Sequence, residues 1–233
     1  MPRQGVEKSG AGSALIKDPE RAKAIILATK KGAPNLPVSV KTRMGYNTDV
    51  LEEWMAHLLE ARPAAIIMHL RTRKQMSKVP ADWSRMRAMR ELVNKLPESE
   101  RPVLLGNGDV ETLSQAGELC EEFGADGTMV GRGIFGKPWF FTVRNHVRHG
   151  RIGQPYKPSL KKQLKIMLEH TKLYVKTYGP ERKKRKSEPA KLKAKDWLKN
   201  FDYMKKHYKA YCSDFDGAKS SALSSWKLKT IVK

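Results

Sequence analysis

The sequence predicts an α/β protein in residues 1–150 and a separate all-helical region in residues 151–233. Short β-branched apolar runs alternate with amphipathic stretches as far as residue 130, and this alternation is typical of parallel strand–helix units. Beyond Pro155 the apolar residues recur only at the spacing of an α-helix. The change of pattern therefore predicts two regions of different structural class.

Four apolar runs predict four buried strands, each ending in polar residues or glycine: 36–43, 64–69, 102–105 and 126–130. The predicted helices are 18–31, with Asp18 as its cap, 48–60, 82–95 and 111–123. Because the unusual residues gather at the carboxyl ends of the strands, the pattern favours a TIM (β/α)8 barrel over an open sheet. We predict the C-terminal half of such a barrel, equivalent to strands 5–8, over residues 1–150. A small all-α helical domain would follow over residues 151–233.

Most of the positive charge lies in the last third of the chain. The net charge is +22, and residues 151–233 hold 23 Lys and Arg against 7 Asp and Glu, whereas residues 1–150 hold 23 against 17. An excess of this size predicts a polyanionic partner such as nucleic acid. A solvated basic tail without a specific partner is the alternative.

The helical region contains two amphipathic stretches. The first ends at Gly179-Pro180 and has these residues at helical spacing: Leu160, Leu164, Met167, Leu168, Thr171, Tyr174, Val175 and Tyr178. The second has opposite arcs, one with Trp197, Phe201, Met204, Tyr208 and Tyr211, the other with Lys199, Lys205, Lys206 and Lys209. We interpret the aromatic arc as core rather than as a surface for stacking bases. The lysine arc is predicted to bind RNA phosphates.

Two glycine-rich loops follow the last two predicted strands, Gly106-Asn107-Gly108-Asp109 and Gly131-Arg132-Gly133. In (β/α)8 enzymes the loops after strands 7 and 8 often form a phosphate site. Glycines let backbone N–H groups approach phosphate oxygens, while Asn107 and Arg132 add side-chain donors. Taken alone, the first loop could be a simple turn in which Asp109 caps a helix. As a pair on consecutive strands, the two loops predict phosphate binding.

Lys41 and His69 end the two preceding strands. At a barrel mouth, the lysine cation could hold an electron-rich cofactor ring, and the histidine could donate a hydrogen bond or transfer a proton. The alternatives are a lysine whose ammonium only reaches solvent and an ordinary hydrogen-bonded histidine. Their position opposite a phosphate site favours the functional interpretation.

The cysteines, the apolar runs and the spacing of possible metal ligands indicate where the protein works and which partners it lacks. Only two cysteines, Cys120 and Cys212, and the lack of a signal-peptide pattern predict a reducing, cytoplasmic setting. The apolar run 64–68 is far too short to cross a bilayer, so we expect no membrane partner. No residue spacing typical of a metal site occurs, and we expect no metal.

Six motifs together resemble those of the tRNA-dihydrouridine synthases, in matching order along residues 1 to about 145. They are Val40-Lys41-Thr42-Arg43-Met44-Gly45, His69-Leu70-Arg71-Thr72-Arg73-Lys74-Gln75 with Ala81-Asp82-Trp83, Gly106-Asn107-Gly108-Asp109, Gly124-Ala125-Asp126-Gly127, Val130-Gly131-Arg132-Gly133 and Gly136-Lys137-Pro138-Trp139. None is specific alone, but the set is highly specific, and the basic helical region also suits this family.

The resemblance implies FMN as cofactor, NADPH as reductant and the C5–C6 bond of a tRNA uridine as the bond that is reduced. By position it places Lys41 and His69 at the isoalloxazine ring, Asn107, Gly108 and Asp109 along the phosphate–ribitol side, and Gly131 and Arg132 at the phosphate. Arg71 and Arg73 would lie near the RNA or the cofactor. The helical domain would hold the tRNA, with the target base turned out of its stack. We expect a monomer.

Three departures from the family's pattern affect the expected activity. The family's first four barrel strands are not represented, and Met1 stands where the cysteine of a Gly-Cys-Pro proton donor is expected, so no catalytic residue is assigned. Leu70 stands where a small residue is usual, and Ser77 where tyrosine is common. We therefore expect a chain truncated by a gene-start error, an incomplete assembly or a deletion, and inactive as written. Two other functions stay open, a non-catalytic RNA-binding fragment and another FMN or sugar-phosphate barrel enzyme.

Overall fold

The computed structural model describes residues 4–142, 156–178 and 203–212 of the chain. In chain order its helices and strands are α1 (Gln4–Lys8), α2 (Pro19–Gly32), β1 (Ser39–Arg43), α3 (Leu51–Glu60), β2 (Ala65–His69), α4 (Arg85–Asn94), β3 (Val103–Asn107), α5 (Leu113–Phe123), β4 (Gly127–Met129), α6 (Leu160–Tyr178) and α7 (Tyr203–Tyr211). Short 3-10 helices cover Gly12–Lys17, Glu98–Glu100 and Arg132–Ile134.

The four strands form one parallel sheet in chain order, β1-β2-β3-β4. Arg43 is paired with His69, His69 with Asn107, and Asn107 with Met129. The last residues of the strands are therefore level, and the side chains around them converge on one edge. The prediction of an α/β fold with parallel strands is confirmed, while its assignment to half of a (β/α)8 barrel stays a prediction.

Local hydrogen bonds explain where the helices begin. Asp18 caps α2 as predicted, since its carboxylate accepts from the Arg21 N–H at 3.2 Å. The predicted helix start at Thr48 is wrong, because the chain first turns back and the Val50 N–H donates to the Met44 carbonyl at 3.0 Å. The predicted start at Asp82 is also too early, because α4 begins at Arg85. The Asp82 N–H donates to the Leu70 carbonyl, which holds this residue in the preceding loop.

Two further differences concern strand and helix bounds. The first strand begins at Ser39 rather than at Leu36, which is 68% exposed and whose N–H bonds within a turn to the Ala33 carbonyl. Helix α1 and the 3-10 helix Gly12–Lys17 were not predicted, because neither is long enough to show an apolar period.

One face of the sheet is covered by helices and forms the core. The fully buried side chains there come from β2, β3, α3 and α4: Ile66, Met68, Leu104, Leu51, Met55, Leu58, Met86, Met89 and Val93. Since side chains alternate along a strand, Lys41, His69 and Asn107 belong to the opposite face. The helices therefore fix the sheet while the polar strand-end residues remain on its other side.

The described residues divide into two compact units, one of residues 4–133 and one of residues 134–142, 156–178 and 203–212. In the second, Met204 is 1% exposed against Tyr174 and Tyr208, and the Thr171 hydroxyl lies 2.8 Å from the Tyr208 hydroxyl. Helix α6 has the predicted extent. The predicted core position of the aromatic arc is confirmed for Met204 and Tyr211.

Several predictions for the helical region concern residues outside those described. They are Trp197, Phe201, Lys199, Gly179-Pro180 and the domain division at residue 150. None of the helices in the described ranges is both long and apolar enough to cross a membrane.

The packing of Gly106 against Trp83 predicts a specific stability effect. A Cβ at Gly106 would overlap the Trp83 indole, which is itself held by its Nε1–H donating to the Gly108 carbonyl at 3.0 Å. Gly106→Ala should therefore lower the free energy of unfolding by about 1–3 kcal/mol, the usual cost of overpacking a core. Urea unfolding measures this change.

The control for that experiment is Gly32→Ala at the end of α2, where a Cβ would meet no atom within 4 Å in the part of the chain that the structure describes. This variant should change the free energy of unfolding by less than about 1 kcal/mol. Equal effects of the two substitutions would contradict the packing explanation.

Candidate functional site

The polar residues at the carboxyl edge of the sheet contact one another across three strands. The Lys41 ammonium on β1 donates to Asn107 Oδ1 on β3 at 3.1 Å, spanning β2. The Asn107 amide in turn donates from Nδ2 to the Met129 carbonyl on β4 at 2.7 Å. Since the Nδ2 group donates to a carbonyl, Asn107 is oriented with its oxygen toward the lysine. The site therefore begins with an ammonium group that is held over the middle of the sheet, on a side chain that is exposed.

His69 and Arg71 form the next part of this edge. An N–H group of Arg71 (NH1) lies 3.4 Å from Nε2 of His69. Arg71 is 3% exposed, and its Nε–H donates to the Val79 carbonyl at 2.6 Å. Its backbone N–H donates to the His69 carbonyl at 2.7 Å. Arg71 is thus held on several sides and has no room to reach solvent.

Asp109 connects three segments of the site. Its Oδ2 accepts from the Arg71 guanidinium and from the Ala81 N–H at 2.9 Å, while its Oδ1 accepts from Arg132 at 3.1 Å. Asp109 has a left-handed backbone, with φ of 53°. The interpretation of Asp109 as only a helix cap is wrong, because Thr112 caps α5 and Asp109 bonds to Arg71, Arg132 and Ala81.

The two glycine-rich loops differ in how closely other residues pack against them: Gly108 is crowded and Gly131 is not. Gly108 has φ of 138°, and a Cβ there would lie 2.6 Å from the Ala81 Cβ and 3.5 Å from the His69 ring. Glycine is therefore needed for this loop to pass beside His69. Among the described residues, none has an atom within 4 Å of the place that a Cβ at Gly131 would take, and the neighbouring Arg132 side chain is 66% exposed. Gly131 and Arg132 thus border open space that an anionic group could enter.

The site carries an excess of positive charge. Burial first, and then the nearby Arg43, lower the pKa of Lys41. Burial, followed by Arg43, Lys41 and Arg71, lowers the pKa of His69 to about 3 against the opposing effect of Asp109. Within the described part of the chain, neither Lys41 nor Arg43 has a carboxylate ion-pair partner. Such a cluster suits an anionic ligand.

Asp109 is the acidic member of this cluster and stays ionised. Burial by itself would raise the pKa of its carboxyl, but the Ala81 N–H, Arg71 and Arg132 together lower it. Its negative charge is shared between two guanidinium groups, so it does not neutralise the cluster.

Arg73 lies in a separate contact near the start of the chain. Its guanidinium donates to both carboxylate oxygens of Glu7 on α1, with Nε at 2.7 Å from Oε1. Arg73 and then Ser13 lower the pKa of Glu7 to about 2 by hydrogen bonding. The Lys17 ammonium lies 3.8 Å from the centroid of the Tyr46 ring and the Arg73 guanidinium 5.6 Å from it. This contact fixes α1 against the segment that follows β2.

The predicted lysine arc is exposed where it is described. Lys205, Lys206 and Lys209 all lie on the exposed side of α7, opposite the buried Met204 and Tyr211. The Lys206 ammonium lies 5.0 Å from the centroid of the Phe135 ring in the same unit. Lys199 is outside the described residues.

Three residues that sequence reasoning did not assign to the site contribute to it. Arg43 adds positive charge and donates to the Thr72 carbonyl at 3.1 Å, Ala81 supplies its N–H to Asp109, and Trp83 holds the Gly108 carbonyl. Arg43 could have been found, because it ends the same predicted strand as Lys41 and, two residues further on, points to the same face of the sheet. The contacts of Ala81 and Trp83 could not be predicted from the local sequence, since each joins two residues more than 20 positions apart in the chain.

The low pKa of His69 predicts a sensitivity to acid. In the unfolded chain this histidine takes up a proton near pH 6.5, whereas in the folded chain its pKa is about 3. The unfolded state binds more protons between these values, so stability is lost as the pH falls from 6.5 toward 3. His69→Gln should therefore lose less free energy of unfolding than the wild type when the pH is lowered from about 7 to about 5.

Urea unfolding at several pH values measures this difference. Above about pH 7.5 the two proteins should show the same pH dependence, because His69 is then neutral in both the folded and the unfolded state. Equal losses at about pH 5 would show that His69 does not have the low pKa.

Comparisons with known proteins give the family. A model of the dihydrouridine synthase (Dus) family matches residues 2–229. Over 218 residues the chain is 35% identical to a probable tRNA-dihydrouridine synthase of Staphylococcus aureus (strain MRSA252). These aligned residues make up 93% of this chain and 57% of that protein. It is 43% identical over 142 residues to a probable tRNA-dihydrouridine synthase 2 of Bacillus subtilis (strain 168), covering 60% of this chain and 42% of that protein.

The chain thus spans about 57% of the length of the first of these relatives. The family model nevertheless spans residues 2–229, a range that contains the carboxyl edge of the sheet. The chain belongs to the dihydrouridine synthase family.

Proposed function

We propose that this chain supplies the FMN-binding edge and the RNA-binding helices of a tRNA-dihydrouridine synthase, which reduces the C5–C6 bond of a tRNA uridine with NADPH as reductant. The observation that carries the proposal is the group of cations at the carboxyl edge of the sheet, beside two glycine loops. When bound, FMN supplies the hydride chemistry. The fold proposed for residues 1–150 is the second half of a (β/α)8 barrel.

Arg132 and Gly131 are the proposed phosphate contacts. Arg132 is 66% exposed, and among the described residues its one partner is Asp109, so other donors are available for phosphate oxygens. The open space at Gly131 allows close approach of an anion to the backbone. Asn107, Gly108 and Asp109 are proposed to line the phosphate–ribitol side, where the loop is shaped by its left-handed residues.

Lys41 and His69 are the proposed contacts to the isoalloxazine ring. The Lys41 ammonium bonds to an amide oxygen rather than to a carboxylate, so its charge can stabilise electron density on a bound ring. His69 is neutral near pH 7 because its pKa is about 3, so it can donate a hydrogen bond but does not carry the extra proton of an imidazolium.

Arg71 and Arg73 are proposed to support the site from within the protein. Arg71 is buried against Asp109, and Arg73 is paired with Glu7. Neither guanidinium is presented to an RNA backbone in this arrangement. We therefore propose that Arg71 lies on the cofactor side of the site and that Arg73 fixes α1.

The exposed lysines of α7 are the proposed RNA contacts. Lys205, Lys206 and Lys209 share one side of the helix, and Lys199 is proposed to extend the same arc. These residues would hold the tRNA through its phosphates. The target uridine has to leave its stack to reach a flavin at the sheet edge.

Arg132→Ala tests the proposed phosphate contact. Loss of a charge-assisted hydrogen bond should weaken FMN binding by about 1–3 kcal/mol, measured by titrating the purified chain with FMN and following flavin fluorescence. Arg62→Ala is the matched control, since Arg62 is 64% exposed and pairs with Glu100 near the amino ends of β2 and β3, away from the carboxyl edge. Equal FMN affinity of the two variants, or no binding by the wild type, would overturn the proposal.

Lys206→Ala tests the RNA surface. The logarithm of the tRNA association constant should fall less steeply with the logarithm of salt concentration, with the slope reduced by about 1 for one lost phosphate contact. The control is Lys31→Ala, an exposed lysine at the end of α2 just before the amino end of β1, which should leave the slope unchanged. If Lys31→Ala and Lys206→Ala have the same slope, the RNA surface lies elsewhere.

A further inference from the structure

We propose that Arg71 is a positioning residue that holds His69 in a single neutral form, with the proton on Nδ1 and the lone pair on Nε2. Arg71 NH1 lies 3.4 Å from His69 Nε2. A guanidinium group has five N–H donors and no acceptor. The nitrogen facing it must therefore accept, and a ring nitrogen accepts only when it carries no proton.

Arg71 has little freedom to turn away from this contact. Its Nε–H donates to the Val79 carbonyl at 2.6 Å, its NH2 group is paired with Asp109, and its side chain is 3% exposed. The Arg71 backbone N–H donates to the His69 carbonyl at 2.7 Å, which fixes the two residues relative to each other. Two of the three nitrogen groups of the guanidinium thus have other partners, and the third, NH1, faces His69.

The loop after β3, which contains Gly108, lies beside the contact between Arg71 and His69. A Cβ at Gly108 would lie 3.5 Å from His69 Cδ2 and 3.7 Å from Arg71 NH1. The loop therefore packs against both partners of the contact. Its conformation, with φ of 138° at Gly108, keeps the ring and the guanidinium together.

The charges around His69 favour its neutral form. Lys41 and Arg43 face it from β1, Arg71 from the segment after β2, and Asp109 from the loop after β3. Burial and the three cations outweigh Asp109 and lower the pKa of His69 to about 3. A neutral ring has one N–H, so the hydrogen bond from Arg71 leaves that N–H on Nδ1.

The consequence for chemistry rests on the proposed function. At a flavin edge, His69 would offer one hydrogen-bond donor, Nδ1–H, while its Nε2 lone pair is already engaged. It would orient and stabilise a bound ring rather than deliver a proton to the uracil. The assignment of the tautomer itself depends only on the residues of this chain.

The wild-type protein gives the direct test. Long-range proton–nitrogen correlation spectra of the chain, labelled with 15N-histidine and free of flavin, distinguish protonated from unprotonated ring nitrogens. His69→Gln identifies the His69 signals among those of the six histidines. We expect a protonated Nδ1 and an unprotonated Nε2 from about pH 5 to about pH 8. A protonated Nε2, a mixture of both tautomers or titration near pH 6.5 would overturn the proposal.

Two variants separate Arg71 from the rest of the network. Arg71→Met combined with Asp109→Asn removes both members of the ion pair and leaves no unpaired buried charge. In it, the Nδ1–H preference should be lost, while burial, Arg43 and Lys41 should still hold the pKa of His69 well below 6.5. Asp109→Asn alone keeps the Arg71 contact and should keep Nδ1–H. Loss of the preference in Asp109→Asn, or its retention in the double variant, would contradict a direct role of Arg71.

The outcome is independent of the flavin titration. If the spectra contradict the tautomer while FMN binds, the proposed function stands and the role of Arg71 fails. If FMN does not bind while His69 shows the Nδ1–H form, the positioning role stands without the cofactor.

Discussion

The carboxylate of Asp109 accepts hydrogen bonds from Arg71, Arg132 and the Ala81 N–H, and so joins the segments that follow β2, β3 and β4. Each partner has a different environment, since Arg71 is buried and Arg132 is largely exposed. Arg71, which faces the interior, is thereby held rigidly, while Arg132, which faces solvent, keeps N–H donors for a ligand. The Arg71 guanidinium that donates to Asp109 also faces the His69 ring, so the carboxylate and the ring share one partner.

The parallel sheet allows the Asp109 carboxylate to join the segments that follow three strands. Strands in register end at the same level, so Arg43, His69 and Asn107 lie side by side on neighbouring strands. The core on the opposite face supplies the rigidity, because Ile66, Met68 and Leu104 are fully buried under α3 and α4. Polar residues on one face and packed apolar residues on the other are consequences of the same alternation along each strand.

The electrostatic character of the site comes from unequal pairing of its charges. Cations from β1 and from the segment after β2 converge on His69, and the single carboxylate among them is shared. Bringing these cations together costs free energy in the absence of a ligand, and an anion would recover part of it. A site of this kind favours anionic groups before any shape complementarity is considered.

Much of this protein was determined locally by its sequence. The α/β class and the extent of α6 follow from period and alternation, and the Asp18 cap follows from residue type; all are properties of short segments. His69 and Asn107 lie at the ends of β2 and β3 as the sequence indicates, whereas Lys41 lies in the middle of β1, which ends at Arg43. The tertiary structure alone decided that Arg71 faces His69 and Asp109, that Arg73 pairs with Glu7, and that Trp83 packs on Gly106. Most of these contacts join residues that are far apart in the chain, and they depend on strand register and on how loops cross the sheet edge. A side chain's type and spacing predict its face of an element, but its partner on another segment is set only when the segments pack.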